Sequence, residues 1–76
     1  MPRYFFHIST RGLDRDGTEL PDLAAARREA VRTLGRLMAD FGPKTEHLTG
    51  SEIRVSDEAG RDLLVVAAQL RMLVVE

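Results

Sequence analysis

The chain has no cysteine. Disulfides and thiolate metal sites are therefore excluded, and the composition suits a reducing compartment. Its two histidines, His7 and His47, lie far apart, so local spacing gives no zinc site. No apolar run approaches the about 18 residues of a membrane span. Neither sign of charge dominates: 11 Lys and Arg face 12 Asp and Glu, for a net charge of −1. Residues 1–36 carry seven basic and five acidic side chains, and residues 37–76 carry four and seven. That asymmetry is too mild for the electrostatic footprint of a phosphate-backbone binder. Met1-Pro2-Arg3-Tyr4 lacks the basic end, apolar centre and small-residue cleavage site of a signal peptide. The expectation from these absences is a cytoplasmic protein without membrane association. The glycines have neither GxGxxG nor GxxxxGK[ST] spacing, which excludes a phosphate-cradling loop.

What is present is short. Residues 1–76 make one small domain, with no room for two cores. A domain of this size buries only about 60% of the surface that its unfolded chain exposes. Folds this small lean on a disulfide, a metal or a partner. With disulfides excluded and no metal or cofactor implied, oligomerisation is the favoured way to add buried area.

Arg3 to Ser9 is rich in aromatic and β-branched residues and reads as a strand. Tyr4, Phe6 and Ile8 share one face, the expected core face; Phe5 and His7 share the other. Thr10 to Pro21 reads as a loop. Within it, Asp16-Gly17 suits a tight hairpin turn that would pair Leu13-Asp14 with Thr18-Glu19. Asp22 to about Phe41 reads as a helix, capped by Asp22 after Pro21 and ended by Gly42-Pro43. Leu23, Ala26, Ala30, Leu34, Leu37, Met38 and Phe41 form its apolar stripe. Arg28, Arg32 and Arg36 lie on a different face. Ser51 to Ser56 reads as a second strand, with Ile53 and Val55 inward. Asp57 to Gly60 turns into a third strand, Arg61 to about Ala68, which is apolar on both faces. Gln69 to Glu76 either extends that strand or forms a separate short one.

The order strand, helix, strand, strand gives an α+β fold of two layers. One helix packs on a three-stranded mixed sheet, with or without a short extra C-terminal strand. The helix is expected to link parallel first and second strands by a right-handed crossover. A strand apolar on both sides is usually central and covered twice, so the expected sheet order is 1-3-2. One face is then left without a helix. It is expected to show Phe5, His7, Leu64, Val66, Met72 and Val74, an apolar patch of the kind that marks an interface.

Other candidate sites have simpler structural explanations. His7 reads as a surface or interface histidine, with no serine or cysteine placed as a nucleophile partner. Asp14, Asp16, Glu19 and Asp22 form an acidic cluster, but Gly12 stands where the first EF-hand ligand would fall. Turn chemistry explains Asp16, and helix capping explains Asp22. Arg28, Arg32 and Arg36 could touch phosphates, although a solvated helix face accounts for them. No group of residues meets the geometric needs of an active site, so an enzyme is not expected.

Three segments carry a resemblance: Met1-Pro2-Arg3-Tyr4-Phe5-Phe6-His7-Ile8, Asp16-Gly17-Thr18-Glu19-Leu20-Pro21-Asp22, and Val55-Ser56-Asp57-Glu58-Ala59-Gly60. With the Ala/Arg/Glu-rich helix between them, the chain resembles a family of small bacterial proteins of unknown function over nearly its whole length. The resemblance implies a bacterial cytoplasmic setting and brings no activity. The first strand, the Leu-Pro-Asp helix entry and the Ala-rich helix are also similar, more distantly, to HicB-like antitoxin domains. That similarity implies a protein partner and dimerisation. The functional expectation is a non-enzymatic protein-interaction module, a homodimer with or without a further protein partner. The alternative is a weak nucleic-acid-binding regulator using Arg28, Arg32 and Arg36.

Overall fold

A computed structural model of the chain describes residues 1–9, 11–40, 52–68 and 75. In chain order the elements are β1 (Arg3–Ile8), β2 (Thr18–Glu19), α1 (Leu23–Asp40), β3 (Glu52–Ser56) and β4 (Asp62–Ala67). The class is α+β, with one helix on a sheet. The sheet is four-stranded and antiparallel throughout, in the order β2-β1-β3-β4. The expected three-stranded mixed sheet of order 1-3-2 is thereby corrected. The expected extra strand at residues 69–76 lies outside the described residues.

The cause of the difference is a reversal before the helix. After Ile8 the chain turns tightly: Gly12 and Ile8 exchange backbone hydrogen bonds of 2.8 and 3.2 Å, with Gly12 at φ 92°. The chain then runs back along β1, and Arg3 and Tyr4 pair with Glu19 and Thr18. Thr18-Glu19 thus pairs with β1, not with Leu13-Asp14. Because β2 runs opposite to β1, the helix carries the chain from β2 over β1 to β3. The helical connection therefore leaves β3 antiparallel to β1.

Asp22 caps the helix, its Oδ1 accepting the Ala25 N–H at 2.8 Å. Ala26, Ala30, Leu34 and Leu37 are its buried residues. Leu23, read as part of the stripe, is exposed, and Phe41 lies outside the described residues. Two alanines without exposure let the helix axis approach the sheet closely, and Ile53 and Val55 fill the contact at 0% exposure. Tyr4 completes the core from β1, with Phe6, Ile8, Leu20, Leu64 and Val66 packed around it.

Leu64 and Val66, expected on the helix-free face, lie on the other. The register places them on the helix side, opposite Val55 and Ile53. Paired residues of an antiparallel ladder share a face, so the inward Ile53 and Val55 bring Leu64 and Val66 in with them. β4 is consequently not a central strand; β3 is. β4 pairs only with β3 among the described residues.

Ile53→Ala is expected to lower unfolding free energy by about 2–5 kcal/mol, since it empties a fully buried site. Val31→Ala, on the solvent side of α1, changes it by less than about 0.5 kcal/mol. Urea denaturation of the two variants checks this. Equal effects would place the core elsewhere.

Candidate functional site

The helix-free face is built by the outward residues of three strands. β1 supplies Arg3, Phe5 and His7, and β3 supplies Arg54 and Ser56. Antiparallel pairing puts Phe5 opposite Ser56 and His7 opposite Arg54, with Arg54 opposite Val65 of β4. Two sites expected here, Met72 and Val74, lie outside the described residues. Leu63 is the extra residue of a bulge, since Ser56 pairs with Asp62 while Val55 pairs with Leu64. Leu63 and Val65 are 37% and 54% exposed.

The returning segment after Gly12 runs along β1 at the edge of this face. Asp14 fastens it. Its Oδ2 accepts the Phe6 N–H at 3.1 Å, and its Oδ1 accepts the Asp16 and Gly17 N–H groups, each at 3.1 Å. A side chain thus fills the place in the β1 ladder that a neighbouring carbonyl would occupy. Gly17, at φ 72°, lies directly over β1. A Cβ there would stand 2.8 Å from Arg3 Cγ and 2.9 Å from Phe5 Cε2. Arg3 holds the far end, donating to the Asp16 carbonyl at 2.9 Å and pairing with Glu19 at 3.2 Å. Partial burial pushes the Asp14 carboxyl up; the N–H groups of Phe6, Gly17 and Asp16, with His7 nearby, outweigh it and hold the group below its ordinary value.

His7 and Ser56 sit diagonally across β1 and β3. Their Nε2 and Oγ atoms are 2.8 Å apart. On its other side the ring accepts the Asp14 backbone N–H at Nδ1, at 3.1 Å. This fixes the tautomer. Nδ1 is the acceptor, so in the neutral ring the proton is on Nε2, and Nε2 donates to Ser56 Oγ. A serine nucleophile needs the opposite arrangement, a bare Nε2 that takes the hydroxyl proton. Ser56 is also buried, at 4% exposure. The contact ties the returning segment through His7 to β3. The residue pattern alone gives His7 no serine partner. Ser56 becomes visible as one only with the antiparallel β1–β3 register.

Around this contact runs a shallow groove of about 340 Å³, lined among others by Phe5, His7, Leu13, Arg54 and Ser56. Leu13 is 69% exposed at its rim. The β3–β4 turn closes one end. Asp57 accepts the N–H groups of Ala59 and Arg61, each at 2.9 Å, and pairs with the Arg61 guanidinium at 3.0 Å. The Arg61 amide first, against slight desolvation, then holds the Asp57 carboxyl below its usual value. Arg54 pairs with Asp62 at 3.3 Å.

The arginines of the helix face the other way. Arg32 and Arg36 both pair with Glu29, at 3.0 and 3.5 Å, and Arg28 is exposed beside them. One carboxylate thus offsets part of this basic flank. Three of the four residues of the acidic cluster are likewise engaged within the chain: Asp14 by backbone N–H groups, Glu19 by Arg3 and Asp22 by the helix end. Among the described residues no three His, Asp or Glu side chains gather as a metal site. No helix among them is long and apolar enough to cross a membrane.

The chain belongs to the family described as a domain of unknown function, DUF6894, whose model matches residues 3–69. No curated protein and no solved structure matches it.

Asp14→Ala is expected to cost about 1–3 kcal/mol at neutral pH, as charge-assisted hydrogen bonds are lost. The folded carboxyl has the lower pKa, so its contribution is present above the unfolded value of about 3.9. It is lost as pH falls through that value and on through the folded one. The gap between wild type and variant in denaturation should therefore narrow in acid. A gap independent of pH would show that the carboxylate form is not what fastens the segment. In the same assay Gly17→Ala is expected to cost more than Gly60→Ala. Both glycines have positive φ, but a Cβ at Gly60 meets nothing within 4 Å.

Proposed function

We propose that this chain is a non-enzymatic protein-interaction module that pairs with a second copy of itself through the helix-free face and the adjoining β4 strand. The observation that carries the proposal is the exposure of Leu63 and Val65 on a strand with apolar residues on both sides. Natural sheets shield exposed edges with charge, proline or cover. Here the short β2 and the Asp14-fastened segment cover the β1 side. β4 has only one charged residue, Asp62, already paired with Arg54. Phe5, His7 and Leu13 extend the surface from β1 and the returning segment. Leu64 and Val66 support it from beneath. The near-neutral charge of the chain places little repulsion between two copies.

The similarity to HicB-like antitoxin domains supports the same reading, since those domains dimerise and bind a protein. The lack of cysteine fits a bacterial cytoplasmic setting. Regulation through nucleic acid is the less favoured reading, because Glu29 engages two of the three arginines that it needs.

Light scattering behind a sizing column, over a range of concentrations, tests the proposal. The expected mass is twice the 8.5 kDa of the chain. Val65→Glu should shift it to the monomer with the fold intact by circular dichroism. Leu64→Glu, which puts a charge against the helix, should unfold the chain instead. A wild-type monomer at every concentration would overturn self-association.

A further inference from the structure

We infer that His7 is a proton-operated latch: neutral, it holds the segment Leu13–Gly17 along β1 at the edge of the helix-free face, and a proton on Nδ1 releases that segment. The role given to the uncovered surface rests on the reading of this face as the dimer interface; the latch itself does not.

The geometry allows the segment to close on only one protonation state. Asp14 N–H points at Nδ1 across 3.1 Å. A second proton on the ring would point back along the same line, leaving roughly 1 Å between two hydrogens. The Asp14 amide must then leave. Histidine is the side chain suited to such a switch, because one added proton turns the Nδ1 acceptor into a donor.

The charged groups around the ring decide how the segment responds. Asp14 approaches from the returning segment, and Arg54 stands directly opposite on β3. Asp62 of β4 lines the groove but is paired with Arg54. Asp57, in the β3–β4 turn, is paired with Arg61, and Glu58 accepts the Arg3 N–H at 3.3 Å. Asp57 and Asp62 are thus paired with arginines, while Asp14 and Glu58 are held by backbone amides, and of these two Asp14 is the one bonded to the ring through its own N–H. An imidazolium therefore draws on Asp14 Oδ2, the oxygen that holds the Phe6 N–H. That contact is one tie between the segment and β1; the bond from the Arg3 guanidinium to the Asp16 carbonyl is another. Protonation thus removes the bond to the ring and competes for that of Phe6, leaving Arg3 to hold the far end, while Arg54 disfavours leaving the charge in place.

Release has a defined consequence. Gly17 lies against the Phe5 ring, close enough that a Cβ would overlap Cε2. When the segment lifts, Phe5 is uncovered on the same face as Val65, with Arg54 and Ser56 of β3 between them. Acid should then strengthen self-association.

The test uses the full-length chain labelled with ¹⁵N. Long-range proton–nitrogen spectra above the His7 titration should show the Nε2–H tautomer. Amide exchange at Asp14, Phe6 and Gly17, corrected for its intrinsic pH dependence, should rise about tenfold or more on acidification. Its midpoint should follow the His7 ring signals, which His7→Gln identifies by their loss. In His7→Gln, whose side chain does not titrate, corrected exchange at these amides should be flat with pH. An Nδ1–H tautomer, or protection unchanged while His7 titrates, would overturn the latch; the latter would mean that the imidazolium and the Asp14 carboxylate simply re-pair in place. Mass measured in parallel separates the two readings. Exchange that rises with a chain monomeric throughout supports the latch and removes the interface.

Discussion

A helix is about 10 Å across and neighbouring strands lie about 4.8 Å apart, so one helix covers roughly two strands. This sheet has four strands and, among the described residues, one helix. α1 lies over β3 and β4. The contact closes tightly because the helix presents Ala26 and Ala30, and the sheet answers with Ile53 and Val55. The rest of the architecture depends on what that helix leaves over. Phe6 and Ile8 sit at its margin and are only partly buried. Among the described residues the opposite face has no helix, and its shielding comes from other parts of the chain or from another molecule.

The returning segment provides part of that shielding, and Asp14 makes it possible. Between Gly12, opposite Ile8, and Thr18, opposite Tyr4, the ladder is interrupted. A gap of this kind would leave the Phe6 N–H without a strand partner. The Asp14 carboxylate takes it, and gathers the amides of Asp16 and Gly17 on its other oxygen. One side chain thus replaces a piece of strand and shapes the turn above it. The same residue's backbone N–H sets the His7 tautomer and, through it, the direction of the contact with Ser56. The local arrangement has the residue types of a hydrolytic triad but the reverse hydrogen-bond polarity. Residue identity alone would have been misleading here, because the chemistry lies in which atom donates.

Much of the fold was legible in the sequence. The alternation of Tyr4, Phe6 and Ile8, the Asp22 cap, the helix stripe from Ala26 to Leu37 and the inward pair Ile53 and Val55 all come from period and end chemistry. The strand order does not. It depends on β2, two residues with no period to read, and on a reversal made at Ile8–Gly12 and fastened by the Asp14 side chain. The two faces of β4 were equally obscure, for a different reason. Leu64 and Val66 are as apolar as Leu63 and Val65, so alternation has no contrast. Only the register against β3, with its bulge, tells them apart. The candidate surface was legible in kind and in part, through Phe5 and His7, while its partners Ser56, Leu13 and Val65 needed the antiparallel pairing.

Self-association also bears on stability. In a domain of this size the core supplies a few kcal/mol at most, and each exposed apolar side chain represents burial not used. A second copy on the helix-free face would add that burial without enlarging the chain, and would make apparent stability rise with concentration. In the proposed dimer the Asp14 segment would compete for the same face. It is held by a few hydrogen bonds instead of a packed core, which puts it at the low-stability end of the structure. Such a cover can shield the monomer and still yield to a partner. In this view the interrupted ladder is not a flaw in β1. If the chain self-associates as proposed, the interruption would keep the cover weak enough to be exchanged for a second copy.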